Sequence, residues 1–166
     1  MSELIATLIK FLAGALAVAF VLAFGAEVLK SGNAANHASD LGSVVSGVDQ
    51  LYGGQPTFSS LTTAVAYKYA PARMKSPTAG QLINPWGGQV TFAADANPVY
   101  FDVATAGVPD SDCPKFASAM SGYISMTIDG TTLTPTNANP VDGGQIATAC
   151  GALGTGSNDI EFTFAH

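Results

Sequence analysis

The chain has 166 residues, of which 11% are charged and 48% hydrophobic, with 18 glycines and nine prolines. That length fits one domain, and the apolar content excludes disorder of the charged, weakly hydrophobic kind. Six Lys+Arg against 12 Asp+Glu give a net charge of −6, which a phosphate backbone would repel, so no nucleic-acid partner is expected.

The hydrophobicity is concentrated at the start. Residues 4–26 carry a single charge, Lys10, and from Phe11 the run FLAGALAVAFVLAFGA has no polar side chain. As a helix, about 23 residues at roughly 1.5 Å each reach about 35 Å, enough for a bilayer core. Up to residue 30, Glu3 and Glu27 balance Lys10 and Lys30; beyond it, Lys68, Arg73, Lys75 and Lys115 face ten acids. A neutral apolar stalk therefore leads into an acidic head. Three readings of the stalk compete: a secretory signal with Ala23-Phe24-Gly25 near its cleavage site, a plain membrane anchor, or a helix packing on copies of itself. The alanines and Gly14 favour close helix approach, as in the third.

Apolar residues return at Leu41, Val44, Val45, Val48, Leu51 and Tyr52, the spacing of a helix with one buried face, and Gly53-Gly54 is its stop. The expectation is one long helix over about residues 1–52, weakened at Gly25, Gly32, Gly42 and Gly47. Residues 1–30 form its hydrophobic core segment and 31–166 the head, with 31–52 as the amphipathic half of the same helix.

Within the head, Ser59/Ser60 are expected to cap a short helix through Tyr69. Residues 89–93 (QVTFA) and 99–103 (VYFDV) read as strands around an Asn97-Pro98 turn. Asp110 or Asp112 caps a helix through about Gly122, with Pro114 in its first turn. Residues 123–128 and 131–134 flank Asp129-Gly130, the strongest hairpin signal in the chain. Residues 145–149 suggest a short helix and 159–164 (DIEFTF) a strand. A long helix followed by a mostly antiparallel sheet with helix inserted is α+β. The two cysteines, Cys113 and Cys150, fit a bridge if the head lies outside the cytoplasm, or else two buried thiols. Metal binding is disfavoured, with no C-x-x-C and only His37 and His166 as imidazoles.

Four features together resemble a type IV pilin of the IVb class, similar to conjugative thin-pilus and toxin-coregulated pilins, in its mature form. They are the apolar N-terminal helix with Glu3 in its first turn, its amphipathic continuation, the segment LINPWGGQVTF (residues 82–92), and the pair Cys113…Cys150 followed by IEFTF. The resemblance spans the whole chain. It implies a disulfide between Cys113 and Cys150 bounding the C-terminal region, and a stalk unwound locally between Gly14 and Gly25. It implies an extracellular filament, with the inner membrane, a prepilin peptidase and pilus assembly machinery as earlier partners. The family's acid usually stands fifth, where this chain has Ile5; here it is Glu3. Lys10 is a costly charge in an apolar segment and should have a partner, or else snorkel to a lipid headgroup before assembly. Glu3 of one subunit is expected to meet Lys10 or the N-terminal amine of another, with Phe11, Gly14, Phe20 and Phe24 in the filament core.

No catalytic constellation is present: no G-x-S-x-G, H-E-x-x-H, P-loop or G-x-G-x-x-G. No enzyme activity and no cofactor is expected. Asp110-Ser111-Asp112 fits helix capping better than a cation site, lacking a calcium loop's glycine and closing glutamate. His37 and His166 are read as solvated. Trp86 is read as packing over the sheet or a helix, with a subunit contact as the alternative. Arg73 and Lys75 lie in a loop whose default reading is solvated, with a basic patch facing a neighbour's Asp110, Asp112 or Asp142 as the alternative. The expected function is a major pilus subunit for adhesion, aggregation or conjugative contact. The alternatives are a minor pilin, a tethered binding module or a type II secretion pseudopilin.

Overall fold

The computed structural model describes residues 32–136 and 140–165. The stalk expectations, including Glu3, Lys10, Phe11, Gly14, Phe20 and Phe24, lie outside the described residues, as does His166. No described helix is long and apolar enough to cross a membrane.

Helix α1 occupies residues 32–52 and is followed by a turn at Gly53-Gly54. Ala34, Ala38, Leu41, Val44, Val48 and Tyr52 recur at three- and four-residue intervals and are buried in the head core. Helix α2 is only Thr63–Ala66, with Thr62 at its N-cap position and no side-chain capping bond. The expected longer helix from Ser59/Ser60 to Tyr69 does not form. Tertiary pairing wins over local propensity here: Thr62 bridges Ala93, and the Thr63 hydroxyl accepts from the Phe92 amide at 3.0 Å. Ser60 is engaged with the Tyr52 hydroxyl at 3.1 Å instead of capping. A 3-10 turn follows at Ala72–Met74.

The sheet has strands β1 (Leu82–Ile83), β2 (Gln89–Ala94), β3 (Tyr100–Pro109), β4 (Tyr123–Ile128), β5 (Thr131–Leu133) and β6 (Ser157–Ala165). Their spatial order is β1-β2-β3-β6-β4-β5, and every pairing is antiparallel. The C-terminal strand therefore lies at the centre, between β3 and β4. Strand alternation separates two faces. The inner rows run Val90–Thr105–Ile160–Ile128 and Phe92–Val103–Phe162–Met126, all buried. Phe58 joins α1 to this layer, 5.2 Å from the Tyr52 ring and 4.7 Å from Phe101.

The Asp129-Gly130 hairpin forms as expected, with φ of 47° and 81°, the pair of positive values that a primed two-residue turn requires. β3 is twice the expected length because it continues through a bulge at Gly107 to pair with β6. Helix α3 is Cys113–Ala119, shorter than expected, and helix α4 is Gly143–Ala149. Asp142 caps α4, its carboxylate accepting from the Gly144 and Gln145 amides at 2.8 and 3.3 Å. Asp142→Ala should cost about 1 kcal/mol of stability, read as a lower urea midpoint at unchanged slope.

Candidate functional site

Trp86 and Asp112 meet where α1, the turn between β1 and β2, and α3 come together. That turn is built by Asn84. Its carboxamide oxygen accepts from the Trp86 and Gly88 amides at 3.0 and 2.8 Å, and its NH2 donates to the Ala106 carbonyl at 2.7 Å. Gly87 takes a φ of 87°, which a glycine adopts without strain. The turn directs Trp86 over α3, where the indole N–H donates to the Asp112 carboxylate at 2.9 Å. Trp86 is thus a packing residue with its polar edge satisfied, as the first of its two readings held.

Asp112 stands at the N-cap position of α3 but makes no capping bond. The expected capping role is corrected: the buried carboxylate is turned to the indole, with Lys115 4.0 Å from its other oxygen. Asp110 does not cap either; it accepts from the Asn158 NH2 at 2.8 Å. Asn158, fully buried, also donates to the Val108 carbonyl at 3.2 Å and accepts from the Gly151 amide at 2.6 Å. One side chain thus joins the end of β3, the approach to α3 and the turn after Cys150. Cys113 and Cys150 are disulfide-bonded, with Cα atoms 5.8 Å apart, tying α3 to the end of α4.

His37 is not solvated. It is 0% exposed, its ring stacked 4.9 Å from Phe116 and edge-on to Trp86 at 5.6 Å, with Nε2 3.4 Å from the Thr105 hydroxyl. The residue falls on the apolar face of α1, four before Leu41, and that phase overrides its polarity. Burial pushes its pKa down to about 4, outweighing the upward pull of Asp40. The unfolded chain therefore takes up a proton first as pH falls. Stability is full above the ordinary value near 6.5 and should fall by up to about 3 kcal/mol between there and pH 4. Denaturant titrations across that window should show the loss in the natural chain and a flatter profile in His37→Leu.

The basic loop also has partners in its own chain. Arg73 makes a two-pronged ion pair with the buried Asp40 of α1, and Lys75 lies 4.8 Å over the Tyr67 ring. The structure thus brings together Trp86 with Asp112 and Cys113 with Cys150. It does not bring Arg73 or Lys75 to Asp110, Asp112 or Asp142 of the same chain. Asp40 escapes sequence reasoning because its partner Arg73 is 33 residues away, and Asn158 because Val108 and Asp110 are about 50 away; Asn84 left a local signal, an Asn two and four residues before the amides it accepts from, and His37 left its helical phase. Among the described residues no group of three or more His, Cys, Asp or Glu could hold a metal ion.

What this arrangement does chemically is hold a head rigid. It unites a short-loop turn, a bridged helix pair and a central C-terminal strand. A sequence model of the bundlin family matches residues 30–165, covering the whole of this head. The chain is a type IV pilin of the bundlin family. No curated protein matches it. As a bundlin-family pilin it belongs to a structural class not known for catalysis. Such pilins polymerise into an extracellular surface pilus. In that setting the disulfide is in an oxidising environment, where it persists.

Proposed function

We propose that this bundlin-family chain is the major subunit of a type IVb pilus that serves adhesion, aggregation or conjugative contact. The observation that carries the reading is the family match over residues 30–165, joined to the apolar segment at residues 4–26 with its single charge. Before assembly that segment holds the subunit in the inner membrane, where a prepilin peptidase and the assembly machinery act on it. In the filament the same segment packs against copies of itself. Lipid is as apolar as a neighbouring helix, so association there rests on close packing and polar pairing. Gly14 gives close approach, Phe11, Phe20 and Phe24 fill the core, and Glu3 pairs with Lys10 or the terminal amine of a neighbour. Glu3→Ala should then abolish filaments without lowering subunit levels. In the head, the loop that carries Arg73 and Lys75 borders a subunit contact. Assembly is head-to-tail and does not close, which yields a helical polymer.

The test is electron microscopy of material sheared from the cell surface, with mass spectrometry of its main protein band. Filaments whose dominant protein is this chain are the expected result. The chain as a trace component of filaments built from another protein would identify a minor pilin. Its absence from surface filaments altogether would favour a pseudopilin or a tethered binding module.

A further inference from the structure

Among the described residues, the central rows of the outer face of the sheet carry small side chains, and the charged groups in them, Asp102 and Glu161, are both negative. The two rows are Thr91–Ala104–Glu161–Thr127–Thr132 and Ala93–Asp102–Thr163–Ser125. Asp102 and Glu161 are diagonal neighbours on β3 and β6, close enough for their charges to interact. Asp95 adds a third acid at the end of β2. Burial, reinforced by the like charge of Asp95, raises the Asp102 pKa against the lowering effect of the Thr163 hydroxyl, which donates at 2.8 Å. Burial, and then the charges of Asp102 and Asp95, likewise raise the Glu161 pKa. Beside Glu161 the face opens into a hollow of about 560 Å³ lined by Thr91, Ala104, Thr127, Asp159 and Leu153.

The described cations are elsewhere. Lys68, Arg73 and Lys75 lie within one eight-residue stretch, and Lys115 is beside Asp112 on α3. The stretch is held on the α1 side of the head by the Arg73–Asp40 pair, and by Tyr69, whose ring fills the space where a Cβ on Gly47 would stand. Lys68 projects into solvent from it. An acidic face and a basic loop therefore sit on different sides of the same head. Complementary patches placed in this way cannot be satisfied within one subunit. They are satisfied between copies, and the contact is heterologous, so it propagates instead of closing.

We propose that in the filament the basic loop of one subunit, through Lys68 and Lys75, docks on the outer sheet face of a second copy at Asp102 and Glu161. The inference rests on the major-subunit reading above and names the head contact that reading lacks. It also replaces Asp110, Asp112 and Asp142 as the acids facing the loop; Asp112 is buried against Trp86. The short Thr and Ala side chains let a lysine reach both carboxylates.

The test is carbodiimide treatment of sheared filaments, which joins a lysine amine to a carboxylate in contact as an amide. The expected product is an intersubunit peptide linking Lys68 or Lys75 to Asp102 or Glu161. In cells, Glu161→Lys and Lys68→Glu should each cut surface filaments roughly tenfold or more, and the double exchange should restore them. Subunit level and the disulfide, read on non-reducing gels, should stay unchanged, and Lys68→Glu on the exposed loop covers the case in which Glu161→Lys fails to fold. Filaments of this chain whose cross-links all avoid the sheet face, or that tolerate both reversals, would overturn the docking proposal alone. No filaments of this chain in the unmodified strain would overturn the major-subunit reading and this inference with it.

Discussion

Gly88→Ala is expected to destabilise the head by about 3 kcal/mol or more, the range of a core overpacking that the structure cannot absorb. A Cβ at this position would stand 1.8 Å from the Ala106 carbonyl oxygen and 2.7 Å from its carbon. Both are backbone atoms of β3, so no side-chain rotation relieves the overlap; the turn or the strand must move. Movement of the turn breaks the Asn84–Ala106 hydrogen bond and draws Trp86 from Asp112. Movement of the strand shifts the Gly107 bulge, whose amide donates to Asp159 at 2.9 Å. Gly87→Ala is the control. Its φ of 87° makes alanine strained, but nothing lies within 4 Å of the added carbon. That change should cost roughly 1–2 kcal/mol, the penalty for a left-handed residue. Urea denaturation of the purified pilin measures both. Equal losses at the two positions would contradict the backbone approach at Gly88.

The second large effect is loss of the disulfide. Cys113 and Cys150 are 37 residues apart, and a crosslink across a loop of that size stabilises by roughly 3–4 kcal/mol on the chain-entropy account. The bridge holds α4, which otherwise meets the head through the buried Ile146 and Ala149 and, just past its end, the hydrogen bond from the Gly151 amide to Asn158. Cys113→Ser with Cys150→Ser should lower the unfolding free energy by that amount, and adding reductant to the natural chain should reproduce most of it. The β-sheet signal in circular dichroism should survive below the new midpoint, because β3, β6 and β4 pair outside the bridged helices. An unchanged midpoint in the double variant would show that the bridge contributes nothing to the folded head.

The parts of this fold legible in the sequence are those set by near neighbours. The Asp129-Gly130 hairpin, the α1 stripe from Leu41 to Tyr52 (except Leu51, which is exposed, not buried as its spacing suggested) and the alternating DIEFTF strand are each encoded within a few residues. The cysteine pairing followed from the family resemblance, which the bundlin match supports. Distant pairing was not legible. Nothing in DIEFTF indicates that it inserts between β3 and β4, and residues 104–107 (ATAG) look unlike a strand until β6 supplies their partner. The same holds at the candidate site. Trp86 could be read as a packing residue, but Asp112 as its acceptor lies 26 residues away. Arg73 read as a free basic patch because Asp40, its partner, belongs to another element. His37 was misread for a different reason: its polarity was weighed above its helical phase, which places it in the row of Leu41, Val44 and Val48.

The most direct measurement is gold labelling of intact cells with an antibody against the head, viewed by electron microscopy. Label at regular density along the whole length of surface filaments is the expected result, since the filaments are built from this subunit. Label confined to filament tips, or to the cell body with bare filaments, would contradict it.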